Sequence, residues 1–475
     1  MPRARPSADF VIIGAGAAGL SVAYAAANLG LRVVLAESGR MGGDCLNVGC
    51  VPSKALLAAA HAARSARLAG RFGVHLPPAH IDWNGVRAHV RGAIDAIAPM
   101  DSEARYAGFG VDVRRAAARF TAPDTLDIGG EAVTARRIVV AAGSTPAVPP
   151  IPGLDAVPYL TNETLFDVTE RPEHLVVLGG GAIGLEMAQA HAALGCRVTV
   201  VEAACIASRE EPELADALRV ALAADGIEVI EGTPVTAVEP GPALLLADGR
   251  RVAGTHLLVA TGRTPSLGSL DLEAGGIAHG PRGIATDAGL RSTTNRRVYA
   301  GGDIADPAGL GPRAFTHVAG YHAGIIIRRA VFRLPARLDY RALPRVTYTT
   351  PELAQTGLTE AEARAGGMHP TVLRWDLREN DRAVAEADTD GLVKLVLAGG
   401  KLVGAGILAP HAGEMIGLCA LAIARRLGPS ALAQMILPYP TRAEAIRRAA
   451  GTLYAPRLFA PRTRWLARTM TRLAG

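Results

Sequence analysis

The chain has 475 residues, 49% of them hydrophobic, with 54 glycines; it is too long for one core and too apolar for a disordered protein, so about three domains are expected. Its 50 basic and 44 acidic residues leave a net charge of +6, an excess too small and dispersed to argue for a nucleic-acid partner. No apolar run reaches the roughly 18 residues of a membrane span, residues 1–7 are polar and unlike a signal peptide, and five cysteines in so long a chain point to a reducing, cytoplasmic compartment.

A short apolar strand over 9–13 runs into a glycine turn, Gly14, Gly16 and Gly19, and then into a helix. Glycines at this spacing let the backbone approach a pyrophosphate at the helix N-terminus. The next strand, 31–36, ends in Glu37, about 20 residues on, where such folds hold a ribose hydroxyl.

The segment that follows carries Gly43, Cys45, Cys50, Pro52, Ser53 and Lys54. On an ideal helix a five-residue offset rises about 7.5 Å, beyond the Cα separation of about 7 Å that a disulfide tolerates. A bridge therefore needs a loop or distorted turn between the cysteines, which Gly49 permits. Pro52 and Ser53 suit a helix start, with the helix body over 55–67. Cys50 then sits near a helix N-terminus, where the dipole and free N–H groups favour a thiolate. A structural disulfide or half of a metal site are the alternatives. Structural disulfides are uncommon in reducing compartments. A zinc site needs four ligands, and Cys196, Cys205 and Cys419 stand alone.

The glycine grammar returns at Gly179, Gly181 and Gly184, followed by a strand over 197–201 that ends in Glu202. Two copies with strand, helix and terminal acid in register predict two dinucleotide sites. Glu202 accepts from a ribose 2′-hydroxyl but repels a 2′-phosphate, and no arginine follows until Arg209. NADH is thereby favoured over NADPH. Further strands are expected over 346–349, 371–375, 392–397 and 402–408.

Together these motifs resemble the pyridine nucleotide–disulfide oxidoreductases, the family of dihydrolipoyl dehydrogenase, glutathione reductase and mercuric reductase. The similarity runs from Asp9 to about Ala450 and includes Gly143 with Ser144, Gly262 with Arg263, and Asp303. It implies an α/β fold with two Rossmann-like dinucleotide-binding domains and a C-terminal α/β dimerisation domain. The expected limits are an FAD domain over 1–150, an NAD(P)H domain over 151–274, a return segment over 275–343 and an interface domain over 344–475. The resemblance further implies that Gly14, Gly16, Gly19, Glu37, Gly43, Ala118, Gly143, Ser144 and Asp303 hold FAD, with Ala314, Thr316 and His317 under the flavin. Gly179, Gly181, Gly184, Glu202 and Gly262 would hold the nicotinamide cofactor. Lys54 and Glu186 would pair near flavin N5, although Glu186 also suits a first-turn acid facing a helix dipole. Electrons would pass from NADH through FAD to Cys50 and Cys45, the latter meeting the acceptor.

Near the C-terminus the family's disulfide-exchanging members place a histidine base and a glutamate. Here Tyr439 replaces the histidine and Glu444 is kept. A phenol titrates near 10 against about 6.5 for imidazole, a gap worth about 5 kcal/mol in proton acceptance at neutral pH. Tyr439 is thus a poor base, but it suits a hydrogen-bond donor, a soft-metal ligand or interface packing. This pattern is mercuric-reductase-like. The absence of a cysteine after Cys419 departs from the vicinal pair with which mercuric reductases end, so the acceptor is left unassigned. Dihydrolipoyl dehydrogenase and a flavin-bound redox sensor are the alternatives. In a homodimer, Tyr439 and Glu444 would complete the partner's site. From Arg447 onward there are seven arginines and no acid, interleaved with Leu458, Phe459, Trp465, Leu466, Met470 and Leu473. A helix over 462–473 would suit a membrane-surface anchor or a docking helix, the alternative being a tail packed on its own dimer.

Overall fold

The computed structural model describes residues 6–474, so the start of the polar stretch over 1–7 lies outside the described residues. The chain divides into two compact units, one built from residues 1–173, 238–242 and 254–338, the other from 174–237, 243–253 and 339–475.

In the first unit β1 (Ala8–Ile13) lies parallel to β2 (Val33–Ala36), which in turn pairs with β3 (Val111–Arg114). On its other side β1 pairs with β6 (Glu131–Val140), reached through the antiparallel strands β4 (Ala118–Ala122) and β5 (Thr125–Ile128). Val11, Ile12, Leu35, Ile138 and Val139 are fully buried, as expected of a parallel sheet covered on both faces. Strand order reverses at β1, and the crevice beyond its carboxyl end is where such sheets bind ligands. From that end rise α1 (Ala17–Asn28), then α2 (Gly43–Asn47) and α3 (Cys50–Leu68).

The second unit repeats the unit's logic with β7 (His174–Leu178), α4 (Ala182–Ala193), β8 (Arg197–Val201), α5 (Pro212–Ala224) and β9 (Glu228–Ile230), the three strands parallel. The chain then returns to the first unit, where β10 (Val298–Ala300) extends the sheet beside β6 and α6 (Thr316–Ala330) follows.

The rest of the chain, in the second unit, is an antiparallel sheet in the order β11 (Pro344–Thr347), β12 (Glu352–Gly357), β15 (Lys401–Ala409), β14 (Leu392–Ala398), β13 (Thr371–Asp376). The strand expected over 346–349 ends at Thr347 instead, because residues 348–351 make the turn that reverses the chain into β12. Between these strands come α7 (Glu360–Ala365) and α8 (Asp381–Ala385); α9 (Ala412–Ala424) and α10 (Glu444–Gly451) bury Ile416, Cys419, Ala445 and Ile446 with Val393, Leu395 and Ile407 of the sheet. Burial pushes the Cys419 thiol up to about 12, so it is inert packing. The chain closes with α11 (Ala455–Leu458) and α12 (Pro461–Ala474). Among the described residues, no helix is long and apolar enough to cross a membrane.

Candidate active site

The two glycine turns are built alike. Gly14 takes φ +98° and Gly179 φ +118°, conformations that favour glycine. A Cβ on Gly19 would collide with the Gly14 carbonyl, and one on Gly184 with that of Gly179. Gly16 and Gly181 are the N-cap residues of α1 and α4, and neither helix receives a side-chain cap. The first N–H groups of both helices are therefore left for an anion. The acids behave alike too. Glu37 accepts from the N–H groups of Ala15 and Gly39, both at 2.6 Å; Glu202 accepts from Gly180 at 2.7 Å and Ala204 at 2.9 Å. Each carboxylate is thus fixed beside its own turn. In the first unit a Cβ on Gly43 would lie 2.8 Å from the Gly16 Cα, so the two glycines leave a cradle that a side chain would fill. That cradle fits a pyrophosphate.

Cys45 lies on α2, and α3 begins at Cys50, two residues before the expected Pro52 start. Gly49 joins the two helices at the N-cap of α3, where a Cβ would stand 2.8 Å from the Asp44 carbonyl oxygen. The two cysteines stand as thiols, Cys45 half-buried and Cys50 exposed. A hydrogen bond to Cys50, and then burial, hold the Cys45 proton far above the ordinary thiol range. Cys50 stands at the N-terminus of a 19-residue helix, a position that favours a thiolate. Its Sγ lies 3.2 Å from the hydroxyl of Thr316, the first residue of α6. His317, next on that helix and exposed, stacks on Phe315 with ring centroids 5.2 Å apart. Lys54, half-buried, follows Cys50 by one turn of α3. Ala314 is exposed just before this helix.

Behind the cysteines lies a network whose centre is Arg263. Its guanidinium ion-pairs with Asp44, donates to the Ser144 hydroxyl and to the Ser144 carbonyl, both at 2.7 Å, and lies 3.7 Å from Asp303. Ser144 donates to Asp303 at 2.6 Å. Burial raises the Asp303 pKa, against the opposing pull of Ser144 and Arg263. The network ties the helix bearing Cys45 to the carboxylate expected at the flavin side chain. Gly143 (φ +70°) and Gly262 (φ +149°) shape the two loops that supply it. In the same unit His322 is buried and accepts from the Gly302 N–H at 3.0 Å, and burial lowers it to about 4, so it is neutral. Ala118 opens β4 and is buried.

In the second unit Glu186 is buried and accepts from the Tyr348 N–H at 3.0 Å. It lies beyond the first turn of α4, which holds no acid. Tyr439 is 71% exposed, and its hydroxyl donates to Asp381 at 3.0 Å. That hydrogen bond and the Asp381 charge raise the phenol's pKa. Asn380 donates to the Thr441 carbonyl at 3.1 Å, so residues 380 and 381 together fasten the loop. Glu444 instead lies buried and accepts from Arg447 at 3.1 Å. The partner of Tyr439 is thus Asp381, a residue 58 positions upstream that no local spacing links to it. The contacts of Arg263, which the sequence offers only as a landmark beside Gly262, and the whole of His322 escaped the sequence reading for the same reason.

Residues 8–330 match the family model described as pyridine nucleotide-disulphide oxidoreductase, and residues 343–450 match the dimerisation domain of that family. A mercuric reductase of Streptomyces lividans is 39% identical over 470 residues, covering 95% of this chain and 97% of its own. One from Bacillus cereus is 33% identical over 454 residues, covering 93% of this chain and 70% of its own. Among solved structures, the Cu(II) complex of the HOCl-induced flavoprotein disulfide reductase RclA from Escherichia coli gives a TM-score of 0.82 at 28% identity, covering 92% of this chain and 98% of that one. LpdA from Mycobacterium tuberculosis gives 0.84 at 27% identity, covering 94% and 99%.

Proposed function

Starting from the fact that the chain belongs to the pyridine nucleotide-disulphide oxidoreductases, flavoprotein enzymes that use FAD and NAD(P)H, we propose that it carries electrons from NADH through FAD to Cys50 and Cys45 and on to a thiophilic metal ion. The observation that carries this reading is the cysteine pair itself: Cys45 and Cys50 lie on adjoining helices, Cys50 at a helix N-terminus beside Thr316.

Bound at the first glycine turn, FAD supplies two-electron relay between nicotinamide and sulfur. The residues of the chain do the rest. Gly14, Gly16, Gly19, Gly43 and Glu37 hold its pyrophosphate and ribose, and Asp303, steadied by Ser144 and Arg263, takes its hydroxyl chain. Lys54, one turn into the helix that Cys50 opens, would supply positive charge to stabilise a reduced ring. Gly179, Gly181, Gly184 and Glu202 hold the nicotinamide cofactor, and the Glu202 carboxylate favours NADH, since a 2′-phosphate would meet its charge.

Two electrons and two protons convert a Cys45–Cys50 disulfide to the dithiol. The proton on Cys45 then decides what can follow. Attack on an external disulfide needs Cys45 as thiolate, hence a base. Tyr439, its proton engaged by Asp381, is not one. A soft metal needs no base, because a coordinating thiol gives up its proton to solvent as the metal binds. Dihydrolipoyl dehydrogenase, which must move a thiol proton at each turnover, is disfavoured on the same ground. The mercuric reductases and the Cu(II) complex of RclA are named for such metals. The matched dimerisation domain supports a homodimer, and the exposed C-terminal segment supports a peripheral contact outside the redox chemistry.

The test is anaerobic titration with NADH followed by an acceptor panel of Hg(II), Cu(II), lipoamide and glutathione disulfide. The wild type should take up two electrons more than its flavin alone accepts, and Cys50→Ser should lose that excess. Turnover with lipoamide exceeding turnover with either metal would sink the proposal, and NADH oxidation with no acceptor at all would leave only a sensor.

A further inference from the structure

The C-terminal segment lies beyond the matched dimerisation domain, which ends at residue 450. It folds as α11 and α12, yet residues 461–473 include none that is buried. A 14-residue helix is marginal in water without a covered face, so α12 needs a partner to lie against. Its pattern says which kind. Leu466, Met470 and Leu473 fall at helical spacing on one face, and Arg464, Arg468 and Arg472 share the opposite side. Trp465 borders the arginine side, 66% exposed, and Leu473 is 79% exposed.

We propose that α12 is an interfacial helix that docks the enzyme on an anionic phospholipid surface, with Leu466, Met470 and Leu473 among the acyl chains and the arginines at the headgroups. This deepens the peripheral-contact reading of the tail and is independent of the acceptor. Charge complementarity favours this occupant. From Arg447 to the end the chain has seven arginines and no acid, and basic residues near an anionic leaflet each strengthen binding severalfold. A second copy of α12 would bring arginines against arginines with no carboxylate to receive them. A nucleic acid would satisfy the charges and leave the apolar face wet. A bilayer surface meets both faces at once. Just upstream, Leu458 and Phe459 are exposed as well and add a second apolar anchor.

The experiment is flotation of the full-length FAD-loaded enzyme with vesicles of phosphatidylcholine alone or with phosphatidylglycerol, in low and high salt. Binding is expected to the anionic vesicles only and to weaken in high salt. Two triple variants, Arg464→Gln/Arg468→Gln/Arg472→Gln and Leu466→Gln/Met470→Gln/Leu473→Gln, should each lose more than tenfold in partitioning while NADH oxidation with dye acceptors is unchanged. Trp465 emission should shift to the blue on binding, and that shift should vanish in Trp465→Phe. Equal flotation on neutral vesicles, no flotation on anionic ones, or full binding by either triple variant would overturn the proposal. So would a change from dimer to monomer in the apolar triple variant, since the face would then belong to the second copy. Loss of redox activity with binding intact would bear on the electron path alone.

Discussion

At the scale of single residues the hydrogen bond between Tyr439 and Asp381 fixes where one proton sits. The phenol donates to Asp381 at 3.0 Å, and ionising it would set a phenolate against that carboxylate and near Glu444, which also raises its pKa. The proton is therefore held throughout the neutral range and past the ordinary value of about 10. What Tyr439 then offers an incoming ligand is an oxygen lone pair at a fixed direction. Asp381→Asn should lower the phenol's titration midpoint toward about 10, read as the ultraviolet difference between each protein and its Tyr439→Phe counterpart. The same substitution should raise KM for a thiophilic metal severalfold and leave dye reduction by NADH unchanged, since the dye draws electrons without that oxygen. An unmoved titration would mean that the hydrogen bond does not form in solution.

At the scale of elements, the second unit is held by a charge cluster. Lys394 of β14, 4% exposed, lies 2.8 Å from Glu211 at the N-cap of α5, 2.6 Å from Glu213 and 2.9 Å from Glu360 at the start of α7. Glu211 also accepts from the Glu360 N–H at 2.6 Å. One ammonium thus pins a strand and two helix starts. Hydrogen bonds from Arg364 and Lys394 lower the Glu360 carboxyl to about 2. A folded-state value below the unfolded one means stabilisation present above about pH 4.5 and lost as pH falls toward 2. Lys394→Met would leave the buried Glu211 carboxylate without its cation, while Glu213 keeps Arg374 and Glu360 keeps Arg364, and should cost about 3–5 kcal/mol at pH 7. The variant should recover part of that loss between pH 7 and pH 5, as protonation relieves the crowding of the acids, whereas the wild type should not. Urea unfolding at both pH values measures this, and a loss under about 1 kcal/mol would show that the cluster is not what fastens these elements. The cluster also marks the limit of what the sequence discloses. The glycine turns, their terminal acids and the cysteine pair were legible because each is written within about 25 residues. Lys394 sits 183 positions from Glu211, and Arg263 sits 219 from Asp44. Such contacts are set by topology, and no local period announces them. The end of β11 was misplaced for a related reason: the β-formers continue through Thr349, while the chain has to turn before β12.

At the scale of the whole molecule the proposed function raises the question whether Tyr439 acts on a partner subunit's cysteines. It stands exposed on the domain that matches the family's dimerisation module, and in a two-fold dimer anything one subunit lends it also receives. If Tyr439 serves the partner, a dimer of one Cys50→Ser chain and one Tyr439→Phe chain carries both defects in one site and neither in the other. Equal mixing by unfolding and refolding should then restore about a quarter of wild-type metal turnover, half the dimers being mixed and each holding one intact site of two. If Tyr439 serves its own chain, each site of the mixed dimer carries one defect and mixing restores nothing. The two parent proteins, refolded separately, give the baseline. The recovery should appear only with a metal acceptor, because dye reduction needs no tyrosine and the Tyr439→Phe chains already support it.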